Sequence, residues 1–126
     1  MPGLPVIVFD VNETLLDLES LTPTFERILG DRLALRRWFA ELILYSEALT
    51  LAGIYVPFTD IGGAVLNMVA TTAGISISAA DRGELTEKFA SMPAHPEVPD
   101  ALAKLKRAGF RLCSAMASQA AVASSI

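Results

Sequence analysis

A chain of 126 residues with 52% apolar side chains can bury the core of one domain, and a mean hydropathy of +0.47 excludes a disordered chain. Fourteen acids against ten bases leave a net charge of −4, with no basic run longer than Arg36-Arg37, so neither nucleic acid nor an anionic membrane surface is expected as a partner. Cys113 is the single cysteine, which rules out an internal disulfide and a cysteine cluster for zinc, and a cytoplasmic protein is the expectation. No segment reaches the ~18 uninterrupted apolar residues of a spanning helix, and the opening run Met1 to Pro5 lacks the basic start of a signal peptide.

Val6-Ile7-Val8-Phe9 is a continuous β-branched and aromatic run, too short for a helix. It predicts a strand buried on both faces of a parallel sheet. Asp10 closes the run. A carboxylate at the C-terminal end of such a strand sits where open α/β sheets place their ligands. Asn12, Glu13 and Thr14 follow as a polar, turn-prone group whose amides and hydroxyl can point back at whatever Asp10 holds. The plainer alternative is that Asp10 caps the next turn, a common task for aspartate, and spacing alone does not choose.

Asp17 or Ser20 is placed to cap a helix carrying Leu21, Phe25, Ile28 and Leu29, with Pro23 in its first turn and Gly30 closing it. From Leu33 to Ala52 a 3–4 apolar spacing through Leu35, Trp38, Phe39, Leu42, Tyr45 and Leu49 predicts a long helix, ended by Gly53. Thr59 or Asp60 then caps a helix running to about Thr72. Gly62-Gly63 weakens it by roughly 1 kcal/mol per glycine, and permits either close helix approach or room for a substrate. Ser78 caps a further helix over 79–90, in which Glu84 and Lys88 form an i,i+4 pair.

Met92 to Pro99 holds three prolines in eight residues and reads as a hinge between domains. A helix from Pro99 to Ala108 ends with Lys104, Lys106 and Arg107 against the negative end of its dipole, and Gly109 stops it. Phe110 to Cys113 starts a second strand. Ser114 to Ile126 is nearly all alanine and serine, with helix as the expected local state. The two strands should pair in parallel, with about four helices inserted between them.

Three runs carry a family resemblance. Phe9-Asp10-Val11-Asn12-Glu13-Thr14-Leu15 resembles motif I of the haloacid dehalogenase (HAD) superfamily. Tyr45-Ser46-Glu47-Ala48-Leu49 resembles part of its helical cap, and Met92-Pro93-Ala94-His95-Pro96-Glu97-Val98 the segment that returns the chain to the core. The resemblance extends through Leu112. It implies an α/β fold: an incomplete Rossmann-like core of two parallel strands with an inserted α-helical cap, divided into core at 1–17, cap at 18–92 and return to the core at 93–126. It also implies that Asp10 is a nucleophile supported by Thr14.

Most phosphatases of the superfamily carry a second Asp two residues after the first, and here that position is Asn12. The chain is therefore more similar to the type II 2-haloacid dehalogenases. In those enzymes the Asp displaces halide from carbon with inversion, and water then cleaves the aspartyl ester at the Asp carbonyl. The resemblance implies no metal or cofactor, and a small-molecule substrate such as a 2-haloacid. Val11 and Asn12 at the turn, Phe39 and Tyr45 in the cap, and Ser118 are the implied substrate-binding residues.

Three departures predict impaired catalysis. Aligned on Tyr45, the position of the family's substrate-clamping arginine is Phe39, with Arg36 and Arg37 nearby on other faces. Met116 and Ala117 stand where the family has Ser or Thr followed by Asn, leaving Ser118 as the substitute. No candidate for the family's later lysine exists beyond Lys88, Lys104 and Lys106, all at helix-face positions. With two strands where the family has at least five, a truncated or altered C-terminus and self-association are expected. His95 in the hinge reads as a solvated loop residue, and Cys113 as strand packing. The alternatives are a Mg²⁺-dependent phosphatase-like hydrolase and a non-catalytic helical binding or assembly module.

Overall fold

The computed structural model describes residues 3–115. They form two compact units, one from residues 3–18 and 92–115 and the other from Glu19–Ser91.

The first unit holds strand β1 (Val6–Asp10) and strand β2 (Arg111–Ala115), paired in parallel with Val6 opposite Arg111 and Asp10 opposite Ala115. Helix α5 (Val98–Arg107) precedes β2 and lies against it. Gly109 makes the tight passage between them at φ +90°, where a Cβ would stand 3.0 Å from Leu4 Cδ1. The strand register fits the expectation, but the burial of β1 does not. Ile7 and Phe9 are half-buried, whereas Val8 is 60% exposed and Val6 43%. Burial on both faces needs a packed layer on each side, and among the described residues one helix, α5, lies against the sheet. Cys113 shares the open face and is exposed rather than packed. Ser114 and Ala115 continue the strand instead of starting a helix, and the rest of the Ala/Ser segment lies outside the described residues.

The second unit is all helix: α1 (Thr22–Leu29), α2 (Ala34–Leu51), α3 (Phe58–Thr72) and α4 (Ala79–Ala90). A 3₁₀ turn at Leu18–Leu21 leads into α1. Because that turn already delivers the chain in helical geometry, the cap position of α1 falls on Leu21 rather than on the expected Asp17 or Ser20. Gly30 closes α1 in the left-handed conformation at φ +69°, as a residue without Cβ can. Helix α3 starts one to two residues before the expected Thr59 or Asp60 cap. The Pro57 carbonyl accepts from the Asp60 and Ile61 amides at 2.9 and 3.1 Å, which places Asp60 in the first turn, where the helix dipole favours an acid.

The core of this unit is the buried stripe of each helix: Phe25 and Leu29, Leu35, Trp38 and Leu42, Ile61, Val65 and Val69, and Leu85. Trp38 is its hub. Its ring lies 5.1 Å from Phe25 and 5.6 Å, edge-on, from Phe89, and its indole N–H donates to the Gly62 carbonyl at 2.9 Å. A Cβ on Gly62 would stand 3.5 Å from Trp38 Cζ2 and 3.8 Å from Leu42 Cδ2, ordinary van der Waals distances, so a methyl group would fit between α2 and α3 here. Gly63 faces open space.

Polar ties join α1 to α4. Arg27 bridges Asp81 at 2.9 Å and Glu84 at 2.6 Å, while Lys88 donates to the buried Thr24 hydroxyl at 2.7 Å and pairs with Glu84 at 3.0 Å. Ser78 caps α4 as its sequence predicts, accepting from the Asp81 amide at 3.0 Å. Ser78→Ala is expected to cost about 1 kcal/mol in urea unfolding. The Ser78 hydroxyl, first, and then Arg27 hold the Asp81 carboxyl below the ordinary carboxylate range. A lowered pKa stabilises the fold above the unfolded value near 3.8, and that stability is lost as pH falls through the lowered folded value. Denaturant titrations across acid pH should show this loss, and Asp81→Asn should flatten it.

Candidate active site

Asp10 is the last residue of β1, and the chain turns immediately after it. The turn is anchored at both ends by buried side chains, Val11 and Leu15. The Val11 carbonyl accepts from the Leu15 and Leu16 amides at 2.9 and 3.0 Å, folding the four residues after Asp10 into one compact loop. Glu13 takes a left-handed φ of +69°, the one non-glycine described residue to do so. This folding brings Thr14 back to the strand end, where its hydroxyl donates to Asp10 Oδ2 at 2.9 Å. Asp10 is exposed, so its carboxylate is open to a ligand as well as held by Thr14. Four sequence-predicted residues, Asp10, Val11, Asn12 and Thr14, thus share one turn. No helix begins at Asp10; its bond to Thr14 closes the turn that follows the strand, a geometry that serves a turn-capping carboxylate and a supported one alike.

The loop is gripped from a distant part of the chain. Leu16 pairs with Ala94 in an antiparallel bridge, the Asp17 amide donates to the Pro93 carbonyl at 2.8 Å, and the His95 amide donates to the Leu15 carbonyl at 2.9 Å. The His95 ring follows, with Nε2 3.0 Å from the Glu13 carbonyl. His95 is half-buried, and beyond the solvated hinge position that its proline-rich setting predicts it makes a tertiary contact. The contact spans 82 residues, and no spacing rule could have found it.

Phe39 and Tyr45 belong to the helical unit. Both lie on α2, six residues apart, which separates their directions by roughly 120°. Phe39 is half-buried with its ring 6.3 Å from Trp38, and Tyr45 is exposed with its hydroxyl donating to Met68 Sδ at 3.6 Å. The arginines beside the Phe39 position are engaged inside the same unit: Arg36 pairs with Glu19 and Arg37 with Asp31 at 3.3 Å. The Thr22 hydroxyl, ahead of Arg36, holds the Glu19 carboxyl below its ordinary range. Ser118, Met116 and Ala117 lie outside the described residues. Among the described residues, no three His, Cys, Asp or Glu side chains stand together as metal ligands, and no helix is long and apolar enough to cross a membrane.

Solved structures share this architecture. An L-2-haloacid dehalogenase superposes with a TM-score of 0.86 at 25% identity, covering 94% of this chain and 55% of its own. The L-2-haloacid dehalogenase of Xanthobacter autotrophicus, with chloropropionic acid covalently bound, gives 0.78 at 21% identity, over 92% of this chain and 47% of its own. The fold is that of the haloacid dehalogenases. A further dehalogenase structure gives a TM-score of 0.83 at 22% identity over 94% of the chain. The chain spans about half the length of these structures. No family model and no curated protein matches it.

Proposed function

We propose that Asp10 is the nucleophile of a haloacid dehalogenase-type hydrolase acting on carbon–halogen bonds. The observation that carries this reading is the Thr14 hydroxyl bonded to Asp10 Oδ2 at the C-terminal end of a parallel strand. The other carboxylate oxygen attacks the halogen-bearing carbon, the carbon–halogen bond breaks with its electron pair leaving as halide, and an ester joins Asp10 to the acid. Water then adds at the Asp10 carbonyl carbon, the 2-hydroxy acid departs, and the carboxylate is regenerated with release of a proton. Covalent capture splits one difficult displacement into two easier steps. The capture of chloropropionic acid in the Xanthobacter structure gives the chemistry a precedent in the same fold.

The test is mass spectrometry of the chain after prolonged incubation with 2-bromopropionate. Exposed Cys113 is itself an alkylation target, so the experiment uses the Cys113→Ser background. A single ester mapped to Asp10, absent from Asp10→Asn, is the expected result. Esters spread evenly over surface carboxylates would defeat the reading. Mg²⁺-dependent turnover of p-nitrophenyl phosphate that Asp10→Asn abolishes would favour the phosphatase-like alternative.

A further inference from the structure

We infer that His95 is a positioning residue for the nucleophile, acting through the backbone of the turn that carries Thr14. The inference rests on the nucleophile reading of Asp10. The Thr14 hydroxyl reaches Asp10 Oδ2 because Glu13, between them in the chain, turns back at φ +69°. A left-handed backbone is disfavoured for a residue with a Cβ, and such conformations persist where the surroundings over-determine them. Here the surroundings are identifiable. His95 Nε2 lies 3.0 Å from the carbonyl of Glu13 itself, and the His95 amide holds the carbonyl of Leu15 at 2.9 Å. One residue thus grips the turn on both sides of Thr14. Pro96 restricts the backbone of the residue before it, so His95 is presented with little freedom to lose.

The chemistry of the contact fixes the tautomer. A carbonyl oxygen only accepts, so Nε2 must carry the hydrogen, and in neutral His95 the acceptor nitrogen is Nδ1. The imidazolium donates from Nε2 as well, so the grip holds in both charge states. His95 therefore orients Asp10 through two contacts joined by the chain: its ring on the Glu13 carbonyl and, one peptide bond on, the Thr14 hydroxyl on the carboxylate. A glutamine at this position keeps an N–H donor at similar reach, and an alanine does not.

The experiment compares the 126-residue chain with His95→Gln and His95→Ala, all in the Cys113→Ser background. Nitrogen-15 NMR of the parent should show the Nε2–H tautomer for neutral His95, and Glu13 should give the strong intraresidue amide-to-α-proton NOE of a positive φ. In His95→Ala that NOE should weaken and ester formation at Asp10 should slow by about tenfold or more, since small misplacements of a reacting group carry costs of that order. His95→Gln should restore both. A parent Nδ1–H tautomer, or a Glu13 signal and ester rate unchanged in His95→Ala, would overturn the inference. If His95→Ala fails to fold, a parent Nδ1–H tautomer, or a Glu13 signal lost in folded His95→Gln, overturns the inference. If no variant forms an ester at Asp10, the nucleophile reading falls, while the tautomer and the Glu13 signal still judge His95.

Discussion

Halide release from 2-chloropropionate by this 126-residue chain is expected to lie near background, within a few-fold of its Asp10→Asn variant. On the proposed reading Asp10 is a nucleophile with one donor on it, the Thr14 hydroxyl. Of the cations considered for holding an anionic substrate, Arg36, Arg37 and Lys88 are paired elsewhere. The family resemblance puts the clamp at Phe39, and the neighbouring Arg36 and Arg37 are paired with Glu19 and Asp31. Lys88 is held by Thr24 and Glu84, while Lys104 and Lys106 are exposed on α5. Each missing electrostatic or positioning group typically costs ~10²–10³ in rate. Losing two or three leaves little, even though such effects do not simply multiply. A displacement that slow can still leave a trapped ester after hours while releasing no measurable halide on an assay timescale. Side-by-side halide assays are the measurement, and a parent many times faster than Asp10→Asn would show that the groups named here are dispensable or arrive from another polypeptide.

The largest effect on stability is expected at Trp38. Removing a buried ring of this size costs about 3–5 kcal/mol, because the lost burial is compounded by a cavity that the neighbours fill only in part. Phe25 and Phe89 would lose their shared partner, and the Gly62 carbonyl its indole donor. A typical domain has about 5–15 kcal/mol in total, so Trp38→Ala should remove much of the stability of the helical unit. Tyr45→Ala, on the same helix but exposed, should fall within about 1 kcal/mol of the parent. Trp38→Phe separates the two contributions, since it keeps most of the packing and deletes the N–H. Urea unfolding followed by far-ultraviolet circular dichroism measures all three. Equal losses in Trp38→Ala and Tyr45→Ala would mean that the core is not centred where the ring contacts place it.

The helices were legible because their signals are local. Apolar spacing sets α2, glycine closes α1, and Ser78 meets the Asp81 amide three residues on. The pairing of β1 with β2 followed from two apolar runs separated by helices. What could not be read depends on partners distant in the chain. Val6-Ile7-Val8-Phe9 looks buried on both faces, yet exposure of Val8 is decided by how many layers pack on the sheet. The starts of α1 and α3 went to Leu21 and Pro57 because the incoming backbone, not a side chain, supplies the first-turn geometry. At the site, Asp10 and Thr14 were visible four residues apart, whereas the hold of His95 on Glu13 is a tertiary contact with no sequence period.

The register of the sheet has a consequence during synthesis. Val6 pairs with Arg111 and Asp10 with Ala115, so the partner of β1 lies about a hundred residues further along the message. At ~5–20 residues per second, a ribosome needs on the order of 5–20 s to make β2 after β1. Helix formation takes around a microsecond, so α1 to α4 have ample time to form as they emerge. Strand β1 thus waits longer for its neighbour than α1 to α4 wait to form, and in that interval Val6-Ile7-Val8-Phe9 is a bare apolar strand.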